Sequence, residues 1–332
     1  TLHGMMNYRN LGTAEVGEVG LGCWQIGGDQ WGDVTDADAL ATLRAAAETG
    51  TTLFDTADVY GAGRSEKLVG KFIRGWKRGE LFVATKLGRF GKPGLPDNCT
   101  RDNMRKHTEA SLDRLGLEVL DLTQLHCVPQ EILEQGEVFE TLRELQQEGK
   151  ILRWGASVES TAEAKLCLAQ PGLASLQVIF NVYRQTPARA IFDECQEKGV
   201  AVIVRLPLAS GLLAGKYTAD TTFPANDHRS FNRDGEKFNV GETFAGLGFE
   251  RGLEVTEKLR PLVPESFTMA QLALKWCLSF PAVTAIIPGA RNPDQARANA
   301  AVCDLPELSP ELLETLAAFY DTEVAASVRG PD

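Results

Sequence analysis

Short β-branched apolar runs recur along the chain, and between them apolar positions return every three or four residues. The runs predict strands at Val16–Gly22, Thr51–Asp55, Leu81–Lys86, Val119–His126, Ile151–Ser157, Ser175–Asn181, Val200–Leu206 and Val283–Pro288. The longer period predicts helices at Asp36–Thr49, Ser65–Arg74, Thr100–Leu115, Glu131–Glu148, Thr161–Ala169, Pro187–Lys198, Glu250–Leu262, Met269–Ser279, Pro293–Val302 and Pro310–Ala325. Thr35, with Asp38 three residues on, reads as a capping box, and Gly50, Gly149 and Gly199 stand where a left-handed C-cap belongs. Strands that are each followed by a helix predict a parallel sheet closed into a (β/α)8 TIM barrel, a single domain over residues 1–332. Ahead of it, Tyr8–Leu11 and Glu15–Val16 flank Gly12-Thr13, which suits a short β-hairpin plugging the barrel's bottom. After the seventh strand, residues 217–249 are polar, Gly-rich and weakly periodic. They read as a long loop at one barrel face, either a lid or an insertion without consequence.

Composition narrows the class. A chain of 332 residues, 43% hydrophobic and 24% charged, is ordinary globular protein with room for a large core. Lys+Arg 34 against Asp+Glu 45 leave a net charge of -11, so a polyanion such as DNA is not an expected partner. No apolar run nears the roughly 20 residues of a membrane helix, and Thr1–Met6 have no signal-peptide layout. The seven cysteines are odd in number and include no CxxC, which argues against a disulfide framework and for a cytoplasmic setting. The four histidines show no metal-ligand spacing, so no metal is expected. The expected assembly is a monomer or weak oligomer.

Barrel active sites lie at the C-terminal ends of the strands. Asp55, Lys86 and His126 end three successive predicted strands, and Tyr60 lies just beyond the first of these. A free tyrosine titrates at about 10, and a neighbouring ammonium lowers that value. Lys86 can supply the charge, Asp55 can pair with Lys86, and His126 can hold a substrate oxygen. Such a group suits proton delivery to the alkoxide that forms when hydride reduces an aldehyde or ketone. Cys127 beside His126 falls on the opposite strand face by alternation and reads as a buried, inert thiol. Gly20–Gln25 lacks the third glycine of a dinucleotide fingerprint, and Gly211–Tyr217 is one residue short of a P-loop.

The sequence is similar to the aldo-keto reductases over nearly its whole length. The likeness rests on Gly50–Gly61 with Ser65-Glu66, Thr85-Lys86, Leu125-His126, Gly149–Ser157, Pro207–Tyr217, and Ile287–Arg291 with Gln295 and Asn299. It implies a nicotinamide cofactor, NADPH with NADH as the alternative, and a small-molecule carbonyl substrate. It also implies a catalytic tetrad of Asp55, Tyr60, Lys86 and His126, with Tyr60 as general acid. By the same resemblance, Ser157 and Gln177 would hold the nicotinamide carboxamide. Leu208, Ser210, Gly211 and Leu212 would lie along the pyrophosphate, with Lys216 adding charge. Arg291 would meet the 2′-phosphate, Gln295 and Asn299 the adenine end, and Gly289 would allow close backbone approach.

This chain departs from the family at two places: Val158 stands where Asn is common, and Val204-Arg205-Leu206 where an aromatic often stacks on the nicotinamide. Either the stacking partner is absent there or Arg205 substitutes for it. Trp24 and Trp31 read either as a substrate wall or as plain core. Two rivals remain. One is a Schiff-base aldolase with Lys86 as nucleophile, which would leave Tyr60 and Arg291 unemployed. The other is a cofactor-binding regulatory subunit with little turnover.

Overall fold

The computed structural model describes residues 6–28 and 33–332. Its first two strands, β1 (Tyr8–Leu11) and β2 (Ala14–Gly17), pair antiparallel about Gly12, whose φ of 61° suits glycine. Eight parallel strands follow: β3 (Leu21–Gly22), β4 (Leu53–Asp55), β5 (Phe82–Leu87), β6 (Leu122–His126), β7 (Trp154–Ser157), β8 (Leu173–Ile179), β9 (Ala201–Arg205) and β10 (Val283–Ile286). Each pairs with its successor. Bridges from Val19 to Ile286 and from Gly22 to Gly289 bring the last strand back to the first. This is a (β/α)8 TIM barrel with an N-terminal hairpin, as the alternation of runs predicts.

The differences lie at boundaries. The run from Val16 divides, because Val16 and Gly17 are spent on pairing Arg9 and Tyr8 in the hairpin. The helix expected over Glu131–Glu148 breaks at Gly136, whose φ is 82°, into Gln130–Gln135 and Glu137–Gln147. Pro187–Lys198 divides at Ile191 into Thr186–Ala190 and Phe192–Lys198. The last helix is regular only to Phe319 and widens to a π turn over Tyr320–Val324. Thr35 caps its helix by accepting from Asp38 N–H at 3.1 Å, but its hydroxyl donates to the Asp38 carboxylate, so the reciprocal half of the box is not made. Gly50, Gly149 and Gly199 do take positive φ, at 94°, 75° and 65°.

Side chains alternate along each strand, so every second residue points into the barrel. Leu53, Phe82, Ala84, Leu122, Ala201, Ile203, Ala285 and Ile287 fill that interior, and Leu11 and Val16 of the hairpin join the same cluster. The hairpin is thereby a floor. Arg9 donates to Val283 O at 2.6 Å, and Arg153 donates to Thr13 Oγ1 at 2.7 Å, tying it to the barrel. The stretch 217–249 is folded. Tyr217, Phe223, Phe244 and Phe249 pack ring against ring at 5.1–6.0 Å, and Asp227 caps the short helix His228–Phe231. Among the described residues, no helix is long and apolar enough to cross a membrane.

Candidate active site

The alternation that fills the barrel also builds the site. Two residues beyond apolar Leu53, Ala84, Leu122 and Ile203, the inward positions become Asp55, Lys86, Gln124 and Arg205. His126 stands one step above Gln124. Lys86, 1% exposed, is in contact with Asp55 Oδ1 and donates to Thr56 O at 3.0 Å and to the Tyr60 hydroxyl oxygen at 3.1 Å. The other Asp55 oxygen accepts from Gln124 Nε2 and from Gln177 Nε2, both at 2.9 Å. Gln177 also donates to Gln124 Oε1 at 2.9 Å. Three side chains thus satisfy a carboxylate that would otherwise be costly to bury.

Burial decides the protonation states. It is the largest influence on Tyr60 and pushes the phenol up to about 12; the Lys86 ammonium pulls downward and the Asp55 carboxylate pushes further up. The expected lowering by Lys86 is therefore present but outweighed by the partial burial of the ring at the cavity wall. Burial favours a neutral Lys86, yet Asp55 and then Tyr60 hold it above the usual lysine range. His126 is kept well below the usual histidine range by burial, then by Lys86, Arg89 and Arg205, so the imidazole is neutral. Its Nδ1 is buried without a hydrogen-bond partner, and its ring lies edge-on to Tyr60 at 5.8 Å.

One cavity of ≈ 640 Å³ opens above this group. Trp24, Asp55, Tyr60, His126, Ser157, Gln177 and Arg205 lie on its wall, as do Leu208, Ser210, Gly211, Lys216, Gly289, Arg291, Gln295 and Asn299. Lys86 sits behind Tyr60. Leu212 is 1% exposed, is not on the wall, and turns its side chain against Gly252 in the core. Trp31 lies outside the described residues. Trp24 stacks on Tyr60 at 6.1 Å and meets Phe238 of the loop at 6.1 Å. The Ser210 hydroxyl is committed, donating to Glu242 O at 2.9 Å and accepting from Phe244 N–H at 3.1 Å, so it ties the 217–249 loop to the cavity. Gln295 accepts from Arg291 N–H at 2.8 Å and Asn299 donates to Gly289 O at 3.2 Å, which shapes the turn carrying Arg291.

Cys127 departs from the alternation. Its φ of 48° turns it toward Ser157 Oγ at 3.8 Å and Arg205 Nη2 at 3.6 Å. Burial pushes its thiol up to about 11. With Glu159 and Glu242 it forms a group whose ligand atoms lie within 4.8 Å of one another. A guanidinium already serves that group, since Arg205 pairs with Glu242 at 3.1 Å. Sequence reasoning missed Gln124, Arg89 and Glu242. Gln124 was accessible, two residues before His126 on the same strand face; Glu242 sits in an aperiodic loop and gave no signal.

A profile of the Aldo/keto reductase family matches residues 18–321. The chain belongs to the aldo-keto reductase family. It is 31% identical to the aldo-keto reductase YhdN of Bacillus subtilis (strain 168), over 86% of this chain and 84% of that one. A protein of Oryza sativa subsp. japonica, named "Probable voltage-gated potassium channel subunit beta", is 29% identical over 96% of this chain and 98% of its own. Among solved structures, the holo form of aldo-keto reductase AKR11C1 from Bacillus halodurans superposes with a TM-score of 0.76 at 28% identity, covering 95% of this chain and 96% of that one.

Proposed function

We propose that this chain reduces aldehydes or ketones to alcohols with NADPH, using Tyr60 as the proton donor. The observation that carries the reading is the Lys86–Tyr60 contact at the cavity wall: Lys86 donates to the phenol oxygen, which leaves the phenolic hydrogen for a ligand. The cavity suits a dinucleotide. Beyond Ser157 and Gln177 its wall carries Lys216 and Arg291, neither of which makes a side-chain hydrogen bond or ion pair among the described residues, so both are ready for phosphate.

The nicotinamide, when bound, supplies the hydride pair to the carbonyl carbon. Tyr60 gives its proton to the carbonyl oxygen as negative charge develops there. Lys86, held by Asp55, stabilises the phenolate left behind, and neutral His126 positions the oxygen. Gln177 spends its amide hydrogens on Asp55 and Gln124, which leaves its Oε1 for the carboxamide amine. Arg291 is the residue for a 2′-phosphate and so for NADPH over NADH.

The experiment is NADPH oxidation across a panel of aldehydes, with wild type and Tyr60→Phe. The wild type should turn over and the variant should lose at least about a hundredfold in kcat, while cofactor binding, read by tryptophan fluorescence, persists. Full activity in the variant overturns the acid assignment. The likeness to the rice protein along 96% of this chain keeps a second reading, a cofactor-binding subunit. That reading predicts NADPH binding without useful turnover of any carbonyl in the same assay.

A further inference from the structure

Beyond helping to keep His126 neutral, Arg89 has no role described so far. It follows β5, three residues beyond Lys86, and lies on the wall of the same cavity as Tyr60 and His126. It is close enough to His126 to help depress the imidazole. Yet its guanidinium makes no hydrogen bond among the described residues. The nearest carboxylates are Glu242 at 3.8 Å and Glu159 at 3.9 Å, beyond hydrogen-bond reach. Glu242 is already claimed by Arg205 at 3.1 Å, and Arg205 also leans on Val158 O at 3.4 Å. The Arg89 side chain is only 25% exposed, so its donors have given up much of their water for two long ion pairs and no direct hydrogen bond.

We propose that the cavity selects carbonyl substrates bearing an anionic oxyacid group, carboxylate or phosphate, and that Arg89 receives it. The inference rests on the reductase reading above. A guanidinium fork matches the two oxygens of such a group, and a partly dry site strengthens the pair. Arg89 follows a different strand from the cations suited to cofactor phosphate. Those cations, Lys216 and Arg291, follow β9 and β10, whereas β5 stands four strands round the barrel from β9. Arg89 lies near His126, the residue that positions the carbonyl oxygen, and shares Glu242 with Arg205. Lys237, at the exposed rim of the same wall, adds a second cation with no side-chain hydrogen bond or ion pair among the described residues. The bound anion would give Arg89 the direct hydrogen bonds that its two long ion pairs lack, and its carbonyl would extend toward Tyr60.

Two pairs of aldehydes test this, each an anion and its neutral twin: succinic semialdehyde with methyl 4-oxobutanoate, and D-glyceraldehyde 3-phosphate with D-glyceraldehyde. Steady-state kcat/KM is measured for wild type, Arg89→Gln and Arg89→Lys. In at least one pair the wild type should prefer the anion by about tenfold or more, the value of one charge-assisted hydrogen bond. The responding pair tells carboxylate from phosphate. Arg89→Gln should abolish that preference, lowering kcat/KM for the anion at least about fivefold more than for its neutral twin and chiefly through KM, and Arg89→Lys should keep part of it. Neutral twins used as well as the anions by wild type overturn the inference alone. So does an equal loss on anion and twin in Arg89→Gln, which would make Arg89 a strap for the loop, and so does a preference that survives the substitution. Failure to reduce any of the four or any aldehyde of the wider panel overturns the reductase reading, and this inference with it.

Discussion

Tyr60 keeps its proton. Burial pushes the phenol up to about 12 against the pull of Lys86, and neutral His126 beside it brings no charge of its own. The protonated phenol therefore predominates well below that value and is lost only as pH climbs toward it. We expect kcat for carbonyl reduction to stay flat from about pH 6 to about pH 9, measured at saturating cofactor and aldehyde. A tenfold fall across that window would assign the proton to another group. The four side chains could be read as neighbours from sequence, because each ends or follows a strand of one parallel sheet. The net direction of the phenol's shift could not, because it depends on how far the closed barrel and the loop exclude water.

Between elements, the decisive link is Ser210, held at a φ of 57°. Its hydroxyl bridges Glu242 O and Phe244 N–H, so one side chain fastens the 217–249 loop over the mouth. Ser210→Ala leaves the buried Phe244 N–H without its partner, a loss of about 1–3 kcal/mol. We expect limited trypsin digestion to cut within residues 217–249 faster, and NADPH to dissociate faster in stopped-flow fluorescence. Equal rates in variant and wild type would show that the loop is held by its aromatic cluster alone. Periodicity could not reveal this loop: its order comes from rings and a buried Asp227–Arg229 pair that alternate with nothing. It equally overran Gly136, since a helical pattern tolerates one glycine and only the backbone angle shows the break.

At the scale of the whole molecule, the hairpin floor and the catalytic mouth are opposite ends of one cylinder. Leu11 is fully buried at the floor among Leu53, Phe82 and Leu122. Leu11→Ala should cost about 2–5 kcal/mol, seen as a lower urea midpoint, while kcat on any accepted aldehyde stays within about twofold. A matching loss of activity would mean that the floor transmits strain to the mouth.

The amino-acid pattern alone determined the barrel, the hairpin and the strand ends that carry Asp55, Lys86 and His126. Alternation and periodicity are properties of neighbours in the chain, and the closed parallel sheet turns them directly into layers. Tertiary structure alone decided that Gln124 and Gln177 share Asp55, that Cys127 turns toward Arg205, and that Glu242 arrives beside Arg89. Those contacts join residues far apart in sequence, on different strands and the loop. They exist only once the barrel has closed and the loop has crossed it, in a space where water no longer screens one charge from another.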